Sequence, residues 1–136
     1  MKKYFLYSLL VAFTFISSCS KDTTLSETNL AQKMIEDKAW FLDYSQTGTL
    51  TETYVGQATY CINFLKNLTT QDSDGLNGKY SVEKVNGQLQ IHLQVKTTSG
   101  NSIEYIYDIV SVGASNLILS YTESGTIIKL YFTNKR

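Results

Sequence analysis

The stretch Gln88-Leu89-Gln90-Ile91-His92-Leu93-Gln94-Val95-Lys96 has the clearest pattern in the chain. Apolar and polar residues alternate at every position, and a period of two is typical of a β-strand with one face buried and the other facing water. We therefore predict a strand here, with the glutamines and His92 facing outward. The predicted inward residues are Leu89, Ile91, Leu93 and Val95.

Turn sequences bound this strand on both sides. Asn86-Gly87 precedes it and is a preferred pair for a two-residue type I′ hairpin, and Ser99-Gly100-Asn101 follows it. Similar short apolar runs, separated by polar segments, recur along most of the chain. The other predicted strands span residues 40–44, 53–65, 79–83, 103–112, 117–122 and 126–133.

Two polar segments interrupt these runs. Residues 45–53 contain Gly48 and predict a turn or loose hairpin, and residues 71–78 predict the strongest loop of the chain. The count is then seven or eight strands, joined mainly by short hairpins.

One amphipathic helix is predicted ahead of the strands, over residues 26–38. Ser26 or Thr28 would be its N-cap. Its apolar stripe would consist of Leu30, Ala31, Met34 and Ile35, with Trp40 beyond it. A single helix of this kind is unstable alone in water, so it should pack on the strands and plug or flank one end of them.

These elements predict an all-β fold with one N-terminal helix. The chain shows no alternation of strands and helices, so a parallel sheet is not expected. An up-and-down antiparallel barrel of seven or eight strands would remove the exposed sheet edges most economically. The alternative is a sandwich of two sheets.

The first twenty residues have the order of an export signal. Lys2 and Lys3 are followed by the apolar run 4–16, by small residues and by Cys19. The apolar run is shorter than the roughly 20 residues that a membrane-spanning helix needs. Ile16-Ser17-Ser18-Cys19 resembles the lipobox of bacterial lipoproteins.

The lipobox resemblance implies a division of the chain. Residues 1–18 would be a signal peptide that is removed, and Cys19 would carry the lipid that attaches the protein to a membrane. Residues 19–25 would be a lipidated tether, and residues 26–136 would form the β-barrel domain with its N-terminal helix.

The whole pattern resembles the lipocalin-like lipoproteins of Bacteroidetes, in which a lipobox and a short helix precede an eight-stranded meander. The first strand departs from true lipocalins, which open with Gly-x-Trp, because Asp37-Lys38-Ala39 precedes Trp40. The only arginine, Arg136, is the last residue and is not assigned to the tryptophan. The resemblance is carried by Cys19, the helix, and the segments 37–40, 60–64, 78–82, 116–119 and 129–132.

This resemblance implies an exported protein anchored in the outer membrane, on its periplasmic or surface face. Asp22-Thr23-Thr24 fits an O-glycosylation pattern of the same bacteria, which makes Thr23 a possible modification site. Lys21-Asp22 matches half of a surface-export signal. An unmodified linker is the alternative reading of both patterns.

An eight-stranded barrel either fills its interior with side chains or keeps room for one small apolar ligand. Several inward candidates are tyrosines, whose hydroxyls need partners when buried. The candidate lining residues are Trp40, Leu42, Tyr60, Ile62, Phe64, Tyr80, Val82, Leu89, Ile91, Leu93, Ile103, Tyr105, Tyr107, Leu117, Leu119 and Tyr131.

No set of residues predicts catalysis or a cofactor. The single histidine and a lone thiol at Cys61, predicted to be buried, cannot form a zinc site. Asp72-Ser73-Asp74-Gly75 resembles the start of a calcium loop but lacks the glycine and glutamate that complete one. We expect no enzyme and no metal site. Without residues 1–18, which include Lys2 and Lys3, 12 − 2 = 10 basic and 12 acidic residues remain, so we also expect no nucleic-acid partner.

Two functions remain open, besides a weaker third possibility, inhibition of a secreted enzyme. The first is binding of a small hydrophobic ligand in the barrel, which an internal cavity of roughly a few hundred cubic ångströms would favour. The second is a structural or interaction lipoprotein that binds another envelope protein or a glycan. Exposed aromatic residues on the outer face, with Phe41, Tyr54 and Phe132 as candidates, would favour it.

Replacing Cys19 by serine tests the lipobox. We expect Cys19→Ser to abolish lipid attachment, because the thioether cannot form without the thiol. The mass of the full-length protein extracted from membranes checks this, with Cys61→Ser as the matched control. A lipid-sized mass increment that persists in Cys19→Ser would contradict the prediction.

Overall fold

The computed structural model describes residues 26–56, 60–97 and 99–135, which form one helix and nine strands in chain order. The helix α1 spans Glu27–Ile35. The strands are β1 (Lys38–Thr47), β2 (Leu50–Thr53), β3 (Cys61–Phe64), β4 (Thr69–Asp72), β5 (Asn77–Val85), β6 (Gln88–Lys96), β7 (Ser102–Val112), β8 (Asn116–Glu123) and β9 (Thr126–Thr133).

The strands form a closed barrel. β3 to β9 pair antiparallel with their sequence neighbours, and β1 pairs with both β3 and β9. Eight strands therefore complete the ring, and β2 is an extra strand on β1. The predicted up-and-down barrel with one helix is confirmed, and the two-sheet sandwich is wrong.

β2 and β3 share one side of β1. β3 pairs with residues 38–41 of β1, and β2 pairs with residues 44–47. The predicted turn or loose hairpin over residues 45–53 is a hairpin, in which the end of β1 pairs with β2 around a turn at Gly48 and Thr49. The segment is polar because every β2 residue is exposed.

β4 was also missed by the sequence pattern. Thr69-Thr70-Gln71-Asp72 has no apolar residue, yet it pairs with β3 and β5. Thr70 is the inward residue and is buried. The predicted loop is therefore shorter than residues 71–78, since the chain leaves strand geometry only between β4 and β5.

Helix α1 begins where the sequence predicted and ends earlier. Ser26 is the N-cap, and its Oγ accepts a hydrogen bond from the Asn29 N–H at 3.3 Å. Glu36 is extended and Asp37 has a φ of 56°, so the helix stops at Ile35 rather than near Lys38.

The helix covers one end of the barrel with a narrow apolar face. Ala31 and Ile35 are buried in the same core as Trp40, whereas Leu30 is 46% exposed and does not join the stripe. The Trp40 Nε1–H donates to the Ile35 carbonyl at 2.8 Å. Lys38 lies over the Trp40 ring, with its Nζ 5.5 Å from the centroid, so a lysine packs on this tryptophan.

The barrel interior holds one continuous core. Its buried members come from α1 and from β1, β3 and β5 to β9, and partly buried residues pack against them. The buried apolar residues are Ala31, Ile35, Trp40, Ile62, Phe64, Tyr80, Ile91, Leu93, Val95, Ile109, Leu117, Leu119 and Phe132.

A bulge in β1 changes which aromatic residues face inward. Leu42 pairs with Phe132, the register shifts at Asp43, and Tyr44 then pairs with Tyr131. Tyr44 and Tyr131 stack on the outer face, with ring centroids 4.1 Å apart. Tyr131 was predicted to line the interior and Phe132 to face outward, and both predictions are wrong.

Two hairpins have the geometry of type I′ turns. Asn86 and Gly87 have φ values of 51° and 85°, and Ser124 and Gly125 have 50° and 82°. Positive φ at both central residues matches the twist of the paired strands. The predicted Asn86-Gly87 turn is confirmed.

Trp40 should contribute strongly to stability because it is fully buried and joins helix and barrel. We expect Trp40→Phe to lower the free energy of unfolding by about 2–3 kcal/mol, through the lost hydrogen bond and the smaller ring. Urea unfolding followed by circular dichroism measures this. Leu50→Ala, at a site that is 72% exposed, is the control and should change stability by less than about 0.5 kcal/mol. Equal effects of the two substitutions would contradict the role of Trp40.

Candidate binding site in the barrel

The barrel has two different ends. Helix α1 lies at the end where β5 and β7 finish. The opposite end carries the β4–β5, β6–β7 and β8–β9 turns, and several tyrosines lie near it. We call it the tyrosine end, and define it by Tyr60, Tyr105, Tyr107 and Tyr121.

A cavity of about 80 Å³ lies inside the barrel. Its walls come from β3, β6, β7, β8 and β9, and they are apolar apart from two tyrosine hydroxyls. The lining residues are Tyr60, Ile62, Phe64, Ile91, Leu93, Tyr107, Leu119, Leu130 and Phe132.

The cavity is small for a ligand site. A single water needs roughly 10–15 Å³, and an engineered apolar cavity of about 150 Å³ takes up benzene. The observed 80 Å³ therefore suits a few carbon atoms. Most of the interior is filled by side chains, and the cavity is well below the size that would by itself favour a whole ligand inside.

The structure brings only part of the predicted lining to the cavity. Tyr60, Ile62, Phe64, Ile91, Leu93, Tyr107 and Leu119 line it. Leu42, Val82 and Leu89 pack around the core, and Leu117 is fully buried in it. Trp40 packs against α1 instead.

Three further candidates have other surroundings. Tyr80 is buried against Phe64, with ring centroids 5.0 Å apart, and its hydroxyl donates to the Leu65 carbonyl at 3.2 Å. Tyr105 and Ile103 pair with inward residues of β6 but are 44% and 42% exposed, because they lie near the end of the barrel.

Sequence reasoning missed Leu130 and Phe132 as lining residues. A signal for them was present, because Lys129 and Tyr131 alternate with them and a lysine favours the outer face. Tyr131 therefore shares the outer face of β9 with Lys129, and its hydroxyl donates to Gln46 Oε1 at 3.1 Å.

The tyrosines form an aromatic cluster. Tyr105 stacks on Tyr107 with centroids 6.4 Å apart, and Tyr107 meets Tyr121 edge-on at 5.7 Å. The Tyr60 hydroxyl donates to Asp72 Oδ2 at 3.3 Å.

The surroundings raise the pKa values of Tyr60, Tyr107 and Tyr121. Burial is the largest cause for Tyr60 and Tyr107, and it raises the pKa of Tyr107 to about 12. Asp72 and then Tyr107 add to the effect on Tyr60. The pKa of Tyr121 is raised by burial and by Glu123. Tyr60, Tyr107 and Tyr121 are therefore neutral at pH 7.

Asp72 also has a structural role. Its Oδ1 accepts hydrogen bonds from the backbone N–H groups of Asp74 and Leu76, at 3.0 and 2.8 Å, and thereby closes the turn between β4 and β5. The aspartates and the glycine that resemble a calcium loop are therefore explained by this turn, in which Asp72 binds backbone N–H groups. No cluster of three or more potential metal ligands occurs among the described residues.

A larger groove lies mainly on the outer face of the barrel, along β4, β5 and β6, and reaches the inward residue Thr70 beside Gly78. Its volume is about 550 Å³, and we call it the outer groove. Its lining residues are Leu65, Thr69, Thr70, Gln71, Asn77, Gly78, Lys79, Gln94, Lys96 and Ser102. Gly78 lies where a Cβ atom would approach the Gln94 carbonyl oxygen to 2.7 Å, so the strands meet closely here.

His92 faces outward, as predicted, in a smaller pocket of about 180 Å³ that shares Lys79 and Gln94 with the outer groove. Its Nδ1 lies 3.4 Å from Glu104 Oε1. Its Nε2 is buried and has no hydrogen-bond partner within the described part of the chain. Cys61 is on the outer side of β3 and only partly buried, so the prediction of a buried thiol is wrong.

Cys19 and Thr23, the predicted lipidation and modification sites, lie outside the described residues. Among the residues that are described, no helix has both the length and the apolar character needed to cross a membrane.

The fold and the site define a class: an up-and-down antiparallel barrel of eight strands with a small apolar cavity and an aromatic end.

No protein-family model matches the chain, and no curated protein does. The chain is similar to the crystal structure of a lipocalin-like protein from Bacteroides uniformis ATCC 8492. Identity is 18%, the match covers 75% of this chain and 99% of that one, and the TM-score is 0.47. At that TM-score, the fold rests on strand order and pairing alone.

The buried tyrosines predict a loss of stability at high pH. Tyrosine in an unfolded chain has a pKa of about 10, whereas the pKa of Tyr107 in the barrel is about 12. Its contribution is therefore complete below pH 10 and disappears as the pH rises through 12. Tyr107→Phe should make the fall in unfolding free energy over this range shallower.

One proton changes the free energy of unfolding by at most roughly 1.4 kcal/mol per pH unit. The slope for Tyr107→Phe should differ from that of the parent protein by a fraction of this value. Urea unfolding at closely spaced pH values measures the slope. Tyr44→Phe, on the outer face, is the matched control. An unchanged slope in Tyr107→Phe would contradict the prediction.

Proposed function

We propose that this protein is a lipid-anchored, non-catalytic binding protein of the cell envelope, and that its barrel accepts the small apolar end of a ligand. The observation that carries the proposal is the apolar cavity of about 80 Å³ between Ile62, Leu93 and Leu130. A dry apolar cavity gains dispersion contacts and loses no hydrogen bonds when an apolar group fills it.

The position of the cavity supports this function. Tyr60 and Tyr107 belong both to its lining and to the tyrosine end. A ligand entering from that end would place a few carbon atoms in the cavity and keep its polar part among the tyrosine hydroxyls. The small volume restricts the apolar part to a short alkyl group or the edge of a ring.

The anchor is a proposal from the sequence. Removal of residues 1–18 and lipidation of Cys19 would attach the barrel to the outer membrane through the tether 19–25. The tether would hold the helix-covered end nearer the membrane, because it leads directly to Ser26, the N-cap of α1. O-glycosylation at Thr23 would modify the same tether.

The outer groove favours a second candidate function, an interaction with another envelope protein or a glycan. It is larger than the internal cavity, at about 550 Å³, and several of its residues carry amide, hydroxyl or ammonium groups. Such groups form the directional hydrogen bonds that a glycan or a protein backbone requires. Occupancy of this groove would not need the cavity.

Native mass spectrometry tests the barrel site first. The soluble form beginning at Ser20 contains every described residue, and it is purified from its own kind of cell. We expect a bound small molecule of low mass that solvent extraction releases. Titration of the extracted protein with 1-hexanol, followed by NMR, should then shift signals of Tyr107 and Leu130.

Variants separate the two sites. Leu130→Phe fills the cavity and should abolish hexanol binding, whereas Ile127→Phe, at an outer position that is 59% exposed, should leave binding unchanged. Binding that survives Leu130→Phe, or a clean mass with no uptake of hexanol, would overturn the barrel site. Shifts confined to Gln94 and Lys96 with a glycan mixture would then support the outer groove.

A further inference from the structure

The tyrosine end combines aromatic rings with negative charge. Tyr105, Tyr107 and Tyr121 form a continuous cluster, with neighbouring centroids 6.4 and 5.7 Å apart. The faces of such rings carry negative potential, and they attract a cation that comes within about 6 Å of the centroid. The rings alone would accept neutral and cationic groups.

Carboxylates stand beside this cluster. Asp72 Oδ2 accepts the Tyr60 hydroxyl at 3.3 Å, and Glu123 lies two residues after Tyr121 on β8. Neither carboxylate forms an ion pair with a lysine in the described ranges, where the basic partners of acidic residues are Lys66, Lys84 and His92. Two carboxylates that take part in none of these ion pairs therefore lie near the tyrosines.

The carboxylates lie close enough to act on these phenols. Burial is the largest cause of the raised pKa of Tyr60 and of Tyr121, and Asp72 adds to it at Tyr60 and Glu123 at Tyr121. Lys79 and Lys96, by contrast, lie in the outer groove, on the other side of the sheet. The inner side of this end is negative, and the lysines of the neighbouring strands face away from it.

We propose that the tyrosine end selects ligands that carry a protonated amine next to a short apolar group, and that it discriminates against ligands that end in a carboxylate. This inference rests on the proposed barrel site. The ammonium group would lie among the rings of Tyr107 and Tyr121 and near Asp72, and the apolar group would enter the cavity through Tyr60 and Tyr107. A carboxylate at that position would meet the like charges of Asp72 and Glu123, whereas Lys79 and Lys96 of the neighbouring strands lie in the outer groove.

Three probes with the same alkyl chain test the inference: 1-hexylamine, 1-hexanol and hexanoate, titrated at pH 7 and low salt by NMR. We expect hexylamine to bind about tenfold more tightly than hexanol, the equivalent of one favourable charge interaction, and hexanoate to bind more weakly than hexanol. Added salt should reduce the preference for the amine, because it screens the carboxylates.

Two variants locate the charge. Asp72→Asn removes the negative charge but keeps an Oδ1 acceptor for the turn between β4 and β5. Glu123→Gln removes the negative charge at a second, exposed position. Each should reduce hexylamine affinity severalfold, and by a clearly larger factor than it changes hexanol affinity. Glu104→Gln, on the outer face beside His92, is the matched control and should change neither.

The outcomes distinguish the two proposals. If hexanol binds, and hexylamine and hexanoate bind with equal affinity, the selectivity is overturned and the barrel site stands. Absence of binding by all three probes would overturn both. Amine preference that survives both Asp72→Asn and Glu123→Gln would also overturn the inference, since the carboxylates would then not be its source.

Discussion

The pairing of β1 with β9 is the constraint on which the rest of the structure depends. It joins the first and last strands of the sheet, and it leaves the barrel without the open edges that a meander would otherwise present. Closure also creates an interior, so that Ile62, Leu119 and Phe132 come together from distant parts of the chain. The cavity exists only because these residues surround it.

Closure of the ring requires a local irregularity in β1. The register shift between Leu42 and Tyr44 lets the first half of the strand pack its aromatic residue, Trp40, inward, while the second half presents Tyr44 outward. Bulges increase the local twist of a strand, which a small barrel needs in order to close. The same strand can then serve β3 at one end and β2 at the other.

The two ends of the barrel differ in polarity. At one end, Trp40 donates to the last carbonyl of α1 and seals the core with an apolar helix face. At the other end, tyrosines replace aliphatic residues, and carboxylates stand beside them. The helix therefore seals one end of the barrel, and the other end is polar. The cavity inside has a volume of only about 80 Å³, which explains why we assign it only a small apolar group.

The sequence by itself determined the fold class. The strict alternation in residues 88–96 and the Asn86-Gly87 turn are local signals of a strand and a hairpin, and the barrel consists of strands and hairpins of this kind. It also indicated much of the lining, since Ile62, Ile91 and Leu93 alternate with polar neighbours. Only the tertiary structure decided the orientation of Tyr131 and Phe132, the strand at Thr69–Asp72 and the size of the cavity. The orientation of Tyr131 and Phe132 depends on the bulge in β1, and the polar strand Thr69–Asp72 is specified by the strands that pair with it. The cavity is the small difference between the volume that the barrel encloses and the volume that its side chains fill. A local sequence pattern contains none of this information.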